Sequence, residues 1–152
     1  MSDFRFPSGC ITNREVSNSD GNQITQDKLY HLTKYTERFQ LEYNGNVADK
    51  TYILFQADKA GELGPDISAA CYADGTTGSV TFDLKKNGST ILSAVITVNS
   101  STGDRVQVAG SFTSDAARAY AVGDVFTVVM DQVSSGDQTG PMLSYQRIEQ
   151  GD

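Results

Sequence analysis

The side chains best equipped for chemistry in this chain are one histidine, two cysteines and a scatter of aspartates. His31 has no second histidine or neighbouring cysteine with which to share a metal, and no G-x-S-x-G context for an acyl-transfer triad, so it reads as a surface or capping residue. Cys10 and Cys71 lie in distant, unlike segments, which suits neither a zinc site nor a disulfide framework; both read as free thiols, Cys71 buried in a strand. Asp74, Asp83, Asp104, Asp115, Asp124, Asp131 and Asp137 could supply paired carboxylates for glycoside hydrolysis. Most of them stand beside Gly, Ser or Thr, where aspartate is the ordinary turn or cap residue. The loops 73–78 and 134–140 are oxygen-rich enough to suggest calcium, yet no D-x-[DN]-x-[DN]-G pattern is present. Gly75 and Gly78 lead into a strand and not a helix, so they do not form a phosphate-binding loop. The seven tyrosines could stack on sugars, but most fall at alternating strand positions where packing accounts for them. The expectation is a non-enzyme with no catalytic residue, no metal and no cofactor.

Composition narrows the partners. The chain has 152 residues, the size of one domain, with 19 acidic against 12 basic side chains and a formal charge of −7. That balance repels polyphosphates and argues against nucleic acid. No apolar run is long enough for a membrane span, and residues 1–5 lack the apolar core of a secretory signal, so the chain reads as soluble. The N-x-S triplets at Asn87 and Asn99 are then chance matches to a glycosylation site.

The elements that must position these residues are strands. Val80, Phe82 and Leu84 alternate with Thr81, Asp83 and Lys85, Asn87-Gly88 offers the two positive φ angles of a tight hairpin, and Ile91, Leu92, Ala94, Ile96 and Val98 resume the apolar pattern. Further strands are expected at 35–43 (Phe39, Leu41, Tyr43), 50–57 with Ile53, Phe55 and Ala57 inward, 66–72, 105–113, 125–133 as a fully buried run, and 142–148. Residues 58–65 and 134–141 read as loops, the latter flexible, Gly110 as a bulge or close approach, and 115–120 as a helical turn. These eight strands at spacings of roughly a dozen residues, with no long helix, predict an all-β fold: a single antiparallel β-sandwich or jelly roll spanning 35–149, with a short tail at 150–152. Residues 1–34 have no such period and form an irregular N-terminal arm, with one or two helical turns between Thr25 and Tyr35. Near its tip Phe4, Arg5, Phe6 and Pro7 place two aromatics around a cation, a composition suited to docking.

The stretch T-F-D-L-K-K-N-G-S-T-I-L-S-A-V-I-T-V from Thr81, followed by Y-A-V-G-D-V-F-T-V-V-M-D-Q from Tyr120, resembles the jelly-roll or β-sandwich modules of tailed-bacteriophage structural proteins. The resemblance is best over residues 78–132 and rests on Asn87-Gly88 and Gly123-Asp124 as structural turns. It extends to F-P-S-G-C at 6–10 and D-K-L-Y-H at 27–31 of the arm. It implies a virion protein, made in the host cytoplasm and mounted on the outer capsid surface, that decorates or cements the head. Its partner would be the major capsid protein, and it would be a homo-oligomer, dimer or trimer, with neither nucleic acid nor membrane bound. The other branch of the resemblance is a tail-fibre or appendage module that binds a glycan receptor. The lack of shaft or coiled-coil sequence in a chain ending after one sandwich favours the capsid branch.

Overall fold

The computed structural model describes residues 34–41 and 48–149, and these form two antiparallel sheets face to face. The strands are β1 Lys34–Gln40, β2 Lys50–Gln56, β3 Gly61–Ala73, β4 Ser79–Lys86, β5 Ser89–Thr90, β6 Ile96–Asn99, β7 Val108–Gly110, β8 Ala119–Tyr120, β9 Val125–Val133 and β10 Thr139–Glu149. One short helix, α1, covers Asp115–Arg118. One sheet runs β1-β10-β3-β7 with β8 also on β3; the other runs β2-β9-β4-β5 with β6 also on β4. Taking β5 with β6 and β7 with β8 as two interrupted strands gives eight, which switch sheets at every connection except the β4–β5 hairpin, in jelly-roll order.

The central hairpin forms as its sequence dictates. Asn87 (φ 51°) and Gly88 (φ 83°) supply the positive dihedrals of a type I′ turn, and Lys86 pairs with Ser89 and Lys85 with Thr90. Val80, Phe82 and Leu84 are buried on one face of β4, against Val98, Ile96 and Val128 on its neighbours and beside Phe126 and Met130. The second arm of the hairpin is not continuous. After Ile91 it leaves β4: Ser93 N donates to Ser111 O and Thr113 N to Ile91 O, and Leu92 bridges Phe112. This crossing closes one lateral side of the sandwich, and Ala94 is left exposed. A Cβ on Gly110 would come within 2.6 Å of Ile96 Cδ1, so the glycine marks a close approach at that corner.

Two bulges shift the expected faces. In β2 the register steps between Ile53, opposite Thr127, and Phe55, opposite Phe126, so Leu54 is an extra residue. Leu54 and not Ile53 enters the core, and Ile53 is 74% exposed, contrary to the simple alternation; past the bulge Phe55 and Ala57 face inward as expected. Phe55 stacks on Phe126 (4.6 Å between centroids) near Tyr120 and Tyr145, with Arg147 Cζ 4.2 Å above its ring. In β3, Ile67 pairs with Tyr145 but Leu63 with Arg147, so Gly64, Pro65 and Asp66 bow out of the ladder, which also accommodates proline's missing N–H.

Three other expectations change. β3 begins at Gly61, inside the stretch read as a loop, because the bulge lets Gly and Pro sit within a strand. β9 is one-faced: Phe126, Val128 and Met130 are buried while Val125, Thr127 and Val129 face outward and are half-exposed, since that sheet is covered on one side only. The run 105–113 keeps only Val108–Gly110 as strand, because Arg105 takes φ 61° in a turn and 111–113 pair at the corner. The helical turn is present, with Ser114 as its N-cap accepting from Ala117 N.

Candidate functional site

The residues singled out as structural turns, Asn87, Gly88, Gly123 and Asp124, meet at one end of the sandwich. Asn87 Nδ2 donates to Asp124 Oδ1 at 2.7 Å, Val125 N donates to Asn87 Oδ1 at 2.9 Å, and Asn87 N donates to Val125 O at 2.8 Å. The second Asp124 oxygen accepts from Ala121 N, which closes the turn that holds Gly123 at φ 93°. Ala57 N donates to Asp124 O and Gly123 N to Ala57 O, so the end of β2 joins the same clasp. The Ala121 amide first and the Asn87 amide second hold the Asp124 carboxyl below its ordinary pKa. Each side chain satisfies backbone groups that strand ladders leave over, and together they pin two loops 37 residues apart.

The opposite end gathers the loops considered for calcium. Asp137 Oδ1 accepts from Thr76 N and Thr77 N, and Oδ2 accepts from the Thr76 hydroxyl at 2.7 Å. The Thr77 amide, then the Thr76 hydroxyl and amide, draw the Asp137 carboxyl down to about 2. Asp74 Oδ2 accepts from Gly103 N and Asp104 Oδ1 from Asp74 N, so these carboxylates also serve backbone donors. Among the described residues no three His, Cys, Asp or Glu side chains stand together as a metal site. Sequence reading missed Gln138, which is fully buried and donates through Nε2 to the carbonyls of Asp74, Thr77 and Gly78. Gln132 also donates to Gly136 O, so side-chain amides tie the loop 134–138 to its surroundings. Nothing in the local sequence marks a glutamine as a loop anchor; a polar residue next to the start of an apolar strand was the only signal.

A groove runs along the outer side of the β3 bulge. Pro65 and Gly110 lie at its middle, Ser68, Ser144 and Gln146 along one half of about 250 Å³, and Phe112, Asp115 and Arg118 along the other of about 360 Å³. Arg118 is fixed there by donating to Leu63 O at 2.7 Å and to Asp115 at 3.0 Å. Cys71 is buried in β3, where burial first and Asp74 second push its thiol up to about 12, beyond nucleophilic use near neutrality. Asp83 pairs with Thr90 and Lys85 on the outer face of β4, and Asp131 of β9, opposite Thr81, lies on the same face. Phe4, Arg5, Phe6, Pro7, Cys10, His31 and Tyr43 lie outside the described residues, as does the helical segment proposed from Thr25 up to the start of β1. Among the described residues no helix is long and apolar enough to cross a membrane.

Comparison with known proteins found no matching family model, no matching curated protein and no matching solved structure.

Proposed function

We propose that this chain is a virion structural protein of a tailed phage, a decoration or cement protein that binds the major capsid protein on the outer head surface and stabilises contacts between capsomers. The observation that supports the reading is the clasp. The N-G-S/T turn and the later G-D turn, whose joint occurrence carries the resemblance, are direct partners through Asn87 and Asp124. A protein that binds assembled shell but not free subunits stabilises the shell by mass action against the outward pressure of packaged DNA. In this reading Phe4, Arg5, Phe6 and Pro7 anchor the arm, the sandwich is the solvent-facing head, and its acidic surface stays clear of the genome. A homo-oligomer presents several arms at once and gains avidity through effective concentration.

The test is add-back to purified heads that lack the protein. The full chain should bind to saturation, and either the Phe4→Ala/Arg5→Ala/Phe6→Ala variant or a chain lacking residues 1–34 should not. Full decoration by those variants sinks the anchoring role. The groove between Ser68 and Arg118 favours a second reading, a glycan-binding appendage module. It predicts instead that the protein ignores heads and binds host surface polysaccharide, with soluble sugar competing.

A further inference from the structure

Asn87-Gly88 is a dipeptide with a reaction of its own. Glycine has no side chain to shield its backbone nitrogen, so Gly88 N can attack Asn87 Cγ whenever the chain brings the two together. The new N–C bond closes a succinimide ring, the Gly88 amide proton departs with the side-chain nitrogen as ammonia, and water opens the ring to aspartate or isoaspartate. Water enters, ammonia leaves, and no other reactant is needed. Burial gives no protection, because both residues are exposed and a Cβ on Gly88 would meet nothing within 4 Å.

The fold supplies two locks instead. In a type I′ turn the ψ of the first central residue is roughly +30°, which turns Gly88 N towards the backbone nitrogen of Asn87 and away from its Cβ, the wrong side for ring closure. The pairing of Lys86 with Ser89 holds that dihedral. The side-chain amide is pinned at both ends, Oδ1 accepting from Val125 N and Nδ2 donating to the Asp124 carboxylate. Only one orientation of the amide serves an N–H and a carboxylate together, so it cannot turn to present Cγ without giving up both bonds. Nor can the product take its place: a carboxylate at 87 has no donor for Asp124 and sets like charges against each other. We propose that Asn87 is a latent deamidation site, kept unreactive by the turn and by the Asp124 clasp, and that its conversion prevents the clasp from closing again. The folded chain is then chemically durable, whereas a chain that lingers unfolded is altered irreversibly. The proposal concerns the chain's own chemistry and stands independently of the capsid reading.

Peptide mass mapping of the full chain during incubation at mildly alkaline pH tests it, by following amide-to-acid conversion and isoaspartate at residue 87. Asn44-Gly45 is the same dipeptide and serves as a reference for the chemistry. In urea both asparagines should convert at similar rates. Without urea Asn87 should convert at least about tenfold more slowly than in urea, because reaction waits on the small fraction of molecules with the turn open. Asp124→Ala should speed conversion of Asn87 in the folded chain by about tenfold, through loss of one charge-assisted hydrogen bond. Asp137→Asn, at the opposite end of the sandwich, should leave that rate unaltered. Asn87→Asp, which installs the product directly, should lower the melting temperature. Asn87→Asp/Asp124→Asn should restore most of the loss, because an amide at 124 can donate to a carboxylate at 87 while still accepting from Ala121 N. The urea comparison and this exchange decide the matter even where Asp124→Ala does not fold. Equal rates at Asn87 with and without urea, no conversion in urea, or a folded Asp124→Ala that converts no faster than Asp137→Asn would overturn the proposal. So would an unchanged melting temperature for Asn87→Asp, or a double variant no more stable than that single one.

Discussion

Gly88 offers a clean test of the turn, because a Cβ there would meet nothing within 4 Å and only the backbone objects. Gly88→Val has room, but it must hold a β-branched residue at φ 83°, which costs about 2 kcal/mol. The melting temperature should fall by roughly 4–8 °C, and Gly88→Asn should recover much of the loss because asparagine tolerates the left-handed region. A normal melt for Gly88→Val would mean the turn relaxes to another type at no cost. Asp137 makes a pH prediction of definite sign. Its folded pKa of about 2 lies below the ordinary 3.8, so its contribution is fully present above pH 4 and is lost as pH falls towards 2. The stability difference between the parent and Asp137→Asn, from urea unfolding at successive pH values, should be constant above pH 4 and shrink below it. A difference that grows on acidification would refute the assignment of the carboxylate as the anchor of Thr76 and Thr77.

At the scale of the element, the bulge in β2 separates two neighbouring apolar residues by role. Leu54→Ala should cost about 2–4 kcal/mol as a core truncation, whereas Ile53→Thr should stay within about 0.5 kcal/mol; denaturant midpoints measured side by side decide it. Equal effects would place both side chains in the core and contradict the register step. The same element shows where sequence is silent. Alternation made β4 legible because its ladder is regular, but one inserted residue inverts the phase, and Y-I-L-F gives no sign of which residue is the extra one. Gly64-Pro65 concealed the first half of β3 for a related reason: turn chemistry and bulge chemistry use the same residues. The outer face of β9 carries Val125 and Val129 for strand propensity, which imitates a strand buried on both sides. The clasp was half legible. Asn87-Gly88 and Gly123-Asp124 each announce a turn, but only the sandwich brings Asn87 to 2.7 Å from Asp124. Gln138 was hidden because its role depends on three carbonyls contributed by another loop.

For the molecule as a whole, the order of strands decides when it can fold. The last strand, β10, lies inside its sheet between β1 and β3, and it carries Leu143, Tyr145 and Ile148 into burial. Lys34 pairs with Ile148 and Gln40 with Met142, so the first described strand has no partner until the last has been made. Pairings this distant in sequence must close large loops before they stabilise anything, which favours slow, all-or-none folding on the millisecond-to-second scale of β-sandwiches. A chain ended after Gln138 keeps every residue of β2, β4, β5, β6 and β9, yet it opens the floor of the shared core and strands β1. Such a chain should show no cooperative melt and should bind the dye ANS, the mark of collapsed but unpacked sheet. The full chain should unfold in one transition, with far-UV circular dichroism and the near-UV signal of the Tyr120–Tyr145 cluster changing together. Two separated transitions, or a truncated chain that still melts sharply, would show that the β2-β9-β4 sheet is a folding unit in its own right and that β10 is an accessory to it.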